Sequence, residues 1–339
     1  MDYNPTMSIF DDFVRFSETY VRRGEHQILA HVLVPKAAHE GKRPLIINWH
    51  GGYLVTASGL YPRFFPLFIL ALAKKHGAVI VSPDYTLLPH AGGLRAVQDD
   101  IKSFDSWLRD SFFEVLSNNT PGCQVDLSKT LLNGGSAGGY VALSHALLNP
   151  DAFRAVALAY PMIDFDTEWW QKGCKATGKP NPYNFPDAMF PPAAELKKTV
   201  EAFKTGPVVS VADDNRTGFG AALAINGLFP DVFSPGGELD DDTSVWLNKR
   251  VAAGEKLPAR IWLFHGTADT AVPYETSVTF AKVMEQQGRS IRLDLFEGSE
   301  HGCDIMASGA SSGQDDPVIL NGAAWLTESW LNNAVQERL

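Results

Sequence analysis

The hydrophobic positions of the chain fall into two kinds of run. Between Glu18 and Pro35 the sequence ETYVRRGEHQILAHVLVP alternates apolar and polar residues on either side of Arg23-Gly24-Glu25. A period of two broken by a turn predicts a β-hairpin. Further along come short continuous apolar runs, at Leu45 to Trp49, Ala78 to Ser82, Thr130 to Asn133, Ala155 to Tyr160, Arg260 to Phe264 and Ile291 to Phe296. Runs of this length predict strands buried on both faces, as in a parallel sheet. Helix-period patterns lie between them, over Leu94 to Leu116, Ala137 to Leu148, Tyr274 to Gln287 and Pro317 to about Val335. The alternation predicts an α/β fold, a mostly parallel central sheet with helices on both faces and the hairpin at its edge.

Two stretches stand outside the alternation. Residues 1–17 precede the first predicted strand, and residues 164–257 separate two strands by far more than a usual crossover. The second stretch carries Trp169-Trp170, the Pro/Asn-rich piece GKPNPYNFP and helix-like patterns near Ala193 to Phe203 and Gly218 to Leu228. The expected organisation is a core of residues 18–163 and 258–339, an inserted helical cap or lid over 164–257, and a contribution to that cap from residues 1–17.

Composition narrows the possibilities. Of 339 residues, 45% are hydrophobic and 20% are charged, which suits a folded globule large enough for a core and a smaller cap. The 29 basic against 39 acidic residues give a formal charge of −10. That balance disfavours a surface built to neutralise phosphates, so nucleic acid is not an expected partner. The start, MDYNPTMSIFDDFVRF, lacks the basic and apolar regions of a secretory signal, and the apolar stretch Phe64 to Ala73 is too short to span a bilayer. A cytosolic protein without a membrane span is expected. Cys123, Cys174 and Cys303 show no CxxC spacing, so neither a disulfide framework nor a zinc site is indicated.

Candidate chemistry centres on NGGSAGGY, Asn133 to Tyr140. Gly134, Ser136 and Gly138 match G-x-S-x-G where a strand ends and a helix begins, the setting of a nucleophile elbow. Its sharp turn forces the serine into a strained conformation and leaves no room for side chains at the flanking glycines. With 29 glycines in the chain, roughly a tenth to a fifth of such sequences would match by chance, so context must carry the reading. The context is supplied three times. His50-Gly51-Gly52-Tyr53 follows the strand LIINW, His265-Gly266-Thr267-Ala268-Asp269 follows RIWLF, and Glu300-His301-Gly302 follows IRLDLF. Ser136, Asp269 and His301 are thereby expected, in chain order, as nucleophile, acid and base of a triad. Each stands just past a strand's C-terminal end, the edge where sites on open α/β sheets assemble. The backbone N–H groups of Gly51, Gly52 and Ala137 are the expected oxyanion hole. Asp84 and Asp164 are read as loop-fixing residues, and His90 and His265 as loop structure. Tyr53, Tyr61, Phe65, Trp169 and Trp170 are candidates for lining a substrate pocket, with core packing as the alternative role.

These residues carry a family resemblance. HGGY, the stretch Ser82-Pro83-Asp84-Tyr85-Thr86-Leu87-Leu88-Pro89-His90, the elbow GGSAGG and Tyr160-Pro161-Met162-Ile163-Asp164 resemble the hormone-sensitive-lipase-like carboxylesterase group of the α/β-hydrolase superfamily. The group commonly reads DYRLAPEH and GDSAGG at these places, whereas this chain has Thr86 for the arginine and Gly135 for the acid. Around Asp269, HGTADTAVPYE looks more like the HGxxDxxVP segment of dienelactone-hydrolase-like and peptidase-like relatives.

The resemblance implies an α/β-hydrolase fold and a cytosolic serine hydrolase. Such an enzyme would cleave a carboxylic ester of a small to medium hydrophobic substrate through an acyl-enzyme, with no cofactor or metal. Dimers are common in the group, so a homodimer is among the implied states. Three other readings stay open. Amide hydrolysis is suggested by the HGGxW segment of kynurenine formamidases, although Leu54 stands where their tryptophan would. Acyl transfer, or another conversion of a biosynthetic intermediate, would keep the triad. A ligand-binding receptor on a retired hydrolase scaffold, as in the gibberellin receptors, belongs to another class, and retention of His301 argues against it.

Overall fold

A computed structural model of the protein describes residues 6–212, 215–234, 243–305 and 315–332. Eight strands form one sheet: β1 (Phe13–Arg23), β2 (His26–Pro35), β3 (Arg43–Trp49), β4 (Val79–Pro83), β5 (Val125–Gly135), β6 (Ala155–Ala159), β7 (Ile261–Gly266) and β8 (Ile291–Phe296). Their order is β1-β2-β4-β3-β5-β6-β7-β8. β1 and β2 pair antiparallel with each other, as β2 does with β4, and the remaining neighbours are parallel.

The helices between Phe64 and Ala159 are α1 (Leu67–His76), α2 (Leu94–Asp110), α3 (Phe112–Asn119) and α4 (Ala137–Leu148). Between β6 and β7 come α5 (Glu168–Thr177), α6 (Ala193–Lys204), α7 (Asn215–Asn226), α8 (Phe229–Phe233) and α9 (Leu247–Ala252), and the chain continues with α10 (Tyr274–Gln286) and α11 (Pro317–Leu331). Among the described residues, no helix is long and apolar enough to cross a membrane.

The continuous apolar runs are explained by burial on both sides. Leu45, Ile47 and Trp49 of β3 belong to the core beneath α2, α4 and α10, while Ile46 joins the core beneath α1 and α11. Ile261 and Leu263 of β7 likewise face the first core, and Trp262 and Phe264 the second. Period-two alternation persists, but both of its faces are dry.

Several elements differ from the sequence expectation. β1 starts at Phe13, ahead of Glu18, so residues 13–17 lengthen the sheet. Phe10 packs edge-on against Phe65 at 4.9 Å in the core beneath α1 and α11, away from the inserted stretch. The described part of the N-terminus is thus sheet and core, because Phe10 and Phe13 are apolar anchors for that face. The single helix expected over Leu94 to Leu116 is two, α2 and α3, separated at Ser111. α1 occupies the stretch considered only for its length across a bilayer, with Phe68, Ile69, Leu70, Leu72 and Ala73 buried.

The topology locates a site. After β3 the chain crosses by way of α1 to β4 on one side. After β5 it crosses by way of α4 to β6 on the other. Adjacent strands whose connections depart in opposite directions leave a crevice at their C-terminal ends. Trp49 pairs with Gly134 in register, so the loops beginning at His50 and Ser136 flank that crevice.

Candidate active site

The elbow is built by steric exclusion. Ser136 has φ 55° and ψ −122° between β5 and α4, a left-handed conformation that a non-glycine residue adopts at a cost of about 1–3 kcal/mol. The end of β6 and the residues after it hold it there. The Ser136 N–H donates to Ala159 O at 2.8 Å, and Ser136 O accepts the Met162 N–H at 3.0 Å. A Cβ on Gly134 would stand 2.1 Å from Gly138 O, and one on Gly138 would stand 2.1 Å from Trp49 O. Both flanking glycines are therefore required by contact. Gly135 is different, since its nearest neighbours would lie at an ordinary 3.5 Å, which leaves room for the side chain this position bears in the resembling group.

The glycine loop after β3 is fixed from behind. His50 Nδ1 donates to Gly51 O at 2.8 Å, its ring stacks on Tyr85 at 4.2 Å, and Tyr85 O–H donates to His50 O at 2.9 Å. Burial pushes the His50 imidazole down to about 4, so the ring is neutral and acts as a strut. Asp84 completes the support, accepting the Gly59 N–H at 2.7 Å and His31 Nε2–H at 3.1 Å. Its expected loop-fixing role is what its hydrogen bonds show. The N–H of Ala137 opens the first turn of α4, where helical N–H groups have no intrahelical partner.

Asp269 and His301 come from the ends of neighbouring strands, β7 and β8. His301 Nδ1–H donates to Asp269 Oδ2 at 2.7 Å, which leaves Nε2 as the ring nitrogen turned away from the carboxylate. Asp269 Oδ1 accepts the N–H groups of Ala271 and Val272, both at 2.8 Å. Burial alone would raise the Asp269 carboxyl, but His301 and His265 beside it hold it well below the usual carboxylate range. Glu300 and Asp304, near His301 in sequence, are hydrogen-bonded to groups other than its ring. Glu300 accepts from Thr270, and Asp304 accepts Tyr160 O–H at 2.5 Å.

Ser136, His301, Gly51 and Gly52 border one cavity of about 850 Å³. Its walls include Tyr53 and Tyr61, as expected, together with Phe64, Tyr183, Leu196 and Phe219. Phe65, Trp169 and Trp170 are not among them. Phe65 turns to Phe10, while Trp169 and Trp170 pack in the inserted stretch, Trp170 edge-on to Phe229 at 5.0 Å. These three rings are core, because neighbouring apolar surface covers them more fully than the cavity would. The lip of the cavity is apolar, with Phe185 41% and Met189 64% exposed.

Sequence reasoning missed one close partner. His265 lies in β7, fully buried, and its Nε2–H donates to Asp269 Oδ2 at 3.0 Å, where a loop role was expected. The strand's end extends farther than its apolar run, and the HGxxDxxVP-like segment that marks the histidine four residues before Asp269 carried no role for it.

A family model described as alpha/beta hydrolase fold matches residues 46–206, spanning the glycine loop, the elbow and β6. The chain has an α/β-hydrolase fold. A second model, the prolyl oligopeptidase family, matches residues 239–319 around Asp269 and His301, in keeping with the peptidase-like look of HGTADTAVP. The probable carboxylesterase M8 of a Phoma species is 28% identical over 97% of this chain and 100% of its own length. The non-reducing polyketide synthase Preu3 of Preussia isomera is 23% identical over 94% of this chain, which corresponds to 14% of the synthase. Among solved structures, an esterase from the bacterial hormone-sensitive lipase family superposes with a TM-score of 0.58 at 15% identity, covering 94% of this chain and 86% of that one. The expected resemblance to the hormone-sensitive-lipase-like carboxylesterase group is borne out, and with it the expectation of a hydrolase.

Proposed function

We propose that the protein is a serine carboxylesterase that cleaves an ester with a medium-sized apolar or aromatic acyl group. The observation that carries the reading is the 2.7 Å Asp269–His301 hydrogen bond beside a left-handed Ser136 on one cavity wall. In this mechanism His301 Nε2 takes the Ser136 proton as Oγ attacks the acyl carbon, and Asp269 holds the ring and stabilises the imidazolium. The N–H groups of Gly51, Gly52 and Ala137 receive the oxyanion. His301 then protonates the leaving alcohol, and water, activated by the same ring, releases the acid from the acyl-enzyme.

The apolar walls and the volume of about 850 Å³ support a hydrophobic acyl group larger than acetyl. The stretch 164–257 serves in this reading as a cap, since Tyr183, Leu196 and Phe219 form the wall supplied by the insertion. A second reading, acyl transfer or hydrolysis on a biosynthetic intermediate of polyketide origin, is supported by the resemblance to the polyketide synthase along nearly the whole chain.

Hydrolysis of p-nitrophenyl acetate, butyrate and octanoate by wild type and Ser136→Ala tests the proposal. A rate that rises with chain length and disappears in the variant is expected. A variant as active as wild type removes Ser136 from the mechanism.

A further inference from the structure

Asp269 carries two imidazoles on one oxygen. Oδ2 accepts His301 Nδ1–H at 2.7 Å and His265 Nε2–H at 3.0 Å. The tautomer of His265 follows from its neighbours. Its Nε2 also lies 3.1 Å from Val272 O, an atom that only accepts, so the proton is on Nε2. Ser277 Oγ lies 2.7 Å from Nδ1 and, in this tautomer, donates to it. His265 and Ser277 are both fully buried, so neither ring face nor hydroxyl exchanges this arrangement for water. With the Ala271 and Val272 N–H groups on Oδ1, each carboxylate oxygen is held by two donors.

We propose that His265 is a positioning residue for catalysis, with Ser277 as its anchor, holding Asp269 Oδ2 in line with His301. The inference rests on the assignment of Ser136, Asp269 and His301 as the triad. Two consequences follow from elementary hydrogen bonding. The carboxylate keeps one orientation through the catalytic cycle, and its charge is shared between two donors. The pull of Asp269 on the His301 proton is correspondingly weaker, so imidazolium is stabilised less than it would be by an unshared carboxylate. The titratable groups facing the cluster from other elements are Tyr53 from the glycine loop, Tyr160 after β6, Tyr183 from the insertion, and Glu300, Cys303 and Asp304 from the segment after β8. Glu300 and Asp304 are turned toward Thr270 and Tyr160, leaving His265 as the second donor on Oδ2.

The experiment compares wild type, Ser136→Ala, His265→Leu, His265→Gln and Ser277→Ala in kcat/KM against pH. It also follows the downfield proton resonance of the His301 Nδ1–H. His265→Leu is expected to lower kcat/KM by about 10–100-fold, on the scale known for the outer hydrogen-bond partners of metal-ligating side chains, with KM little changed. The acid limb moves to higher pH and the resonance shifts. His265→Gln, which returns a neutral donor, recovers most of the rate, and Ser277→Ala gives a smaller shift in the same direction. Equal loss in the leucine and glutamine variants with an unmoved limb and resonance assigns His265 to packing and overturns the proposal. An unmoved limb in Ser277→Ala does the same for a leucine variant that fails to fold. Retained activity in Ser136→Ala instead identifies failure of the triad reading itself.

Discussion

Glu300, the residue that precedes His301, ties the loop that carries Asp269 to the backbone of His301. Its Oε1 accepts the Thr270 N–H at 2.6 Å and the His301 N–H at 2.9 Å, and its Oε2 accepts Thr270 Oγ1–H at 2.8 Å. The relative position of acid and base is therefore set by a side chain that belongs to neither. Glu300→Ala leaves three donors short of their acceptor and is expected to cost about 1–3 kcal/mol of stability. It should also lower kcat/KM. Urea unfolding and steady-state kinetics check this, and an unchanged rate would mean that the two loops hold their places without the tie.

The same threonine receives the inserted stretch. The Tyr183 N–H donates to Thr270 Oγ1 at 2.8 Å, and the Tyr183 ring lies 6.1 Å from that of His301 on the cavity wall. Tyr183→Ala should therefore raise KM for p-nitrophenyl octanoate more than for the acetate. An equal change for both esters would place the acyl chain away from this ring.

The elbow glycines make a steric prediction that distinguishes neighbours. Gly138→Ala forces a Cβ to within 2.1 Å of Trp49 O and should cost more than about 4 kcal/mol, enough to remove soluble folded protein. Gly135→Ala meets only ordinary contacts at 3.5 Å and should change stability by about 1 kcal/mol or less. Thermal melts of the two variants decide between required and replaceable glycine.

Asp304 gives a pH dependence with a definite sign. Burial pushes its carboxyl up to about 6 from 3.8, against the opposing pull of the Tyr160 hydroxyl and His301. A folded value above the unfolded one means that the native state holds the proton more tightly. The resulting stabilisation is complete below about 4 and lost as pH rises through about 6. Asp304→Asn, which cannot ionise, should therefore stabilise the protein at pH 8, by at most about 3 kcal/mol, and have little effect near pH 4. Melts at the two pH values test this, and an equal shift at both would show that ionisation is not the cause.

The strand ends and the order of the site residues were legible in the sequence because both are local. Apolar runs that stop at glycine mark where β3 and β5 end. The placement of Ser136, Asp269 and His301 after β5, β7 and β8 gives them a common edge once these strands are parallel. The chain's own covalent order also set apart residues 164–257, too long for a crossover. Tertiary structure alone decided which aromatics face the cavity. Phe64 and Phe65 are adjacent in sequence, yet one borders the cavity and the other packs on Phe10, since backbone direction at that bend depends on what each ring can cover. It also decided that His265 shares Asp269 with His301, and that Thr270 and Glu300 clamp the loops together with Tyr183. These contacts join residues distant in the chain or turned by a strand's end, and their energies are set by distance in space, which periodicity and spacing do not encode.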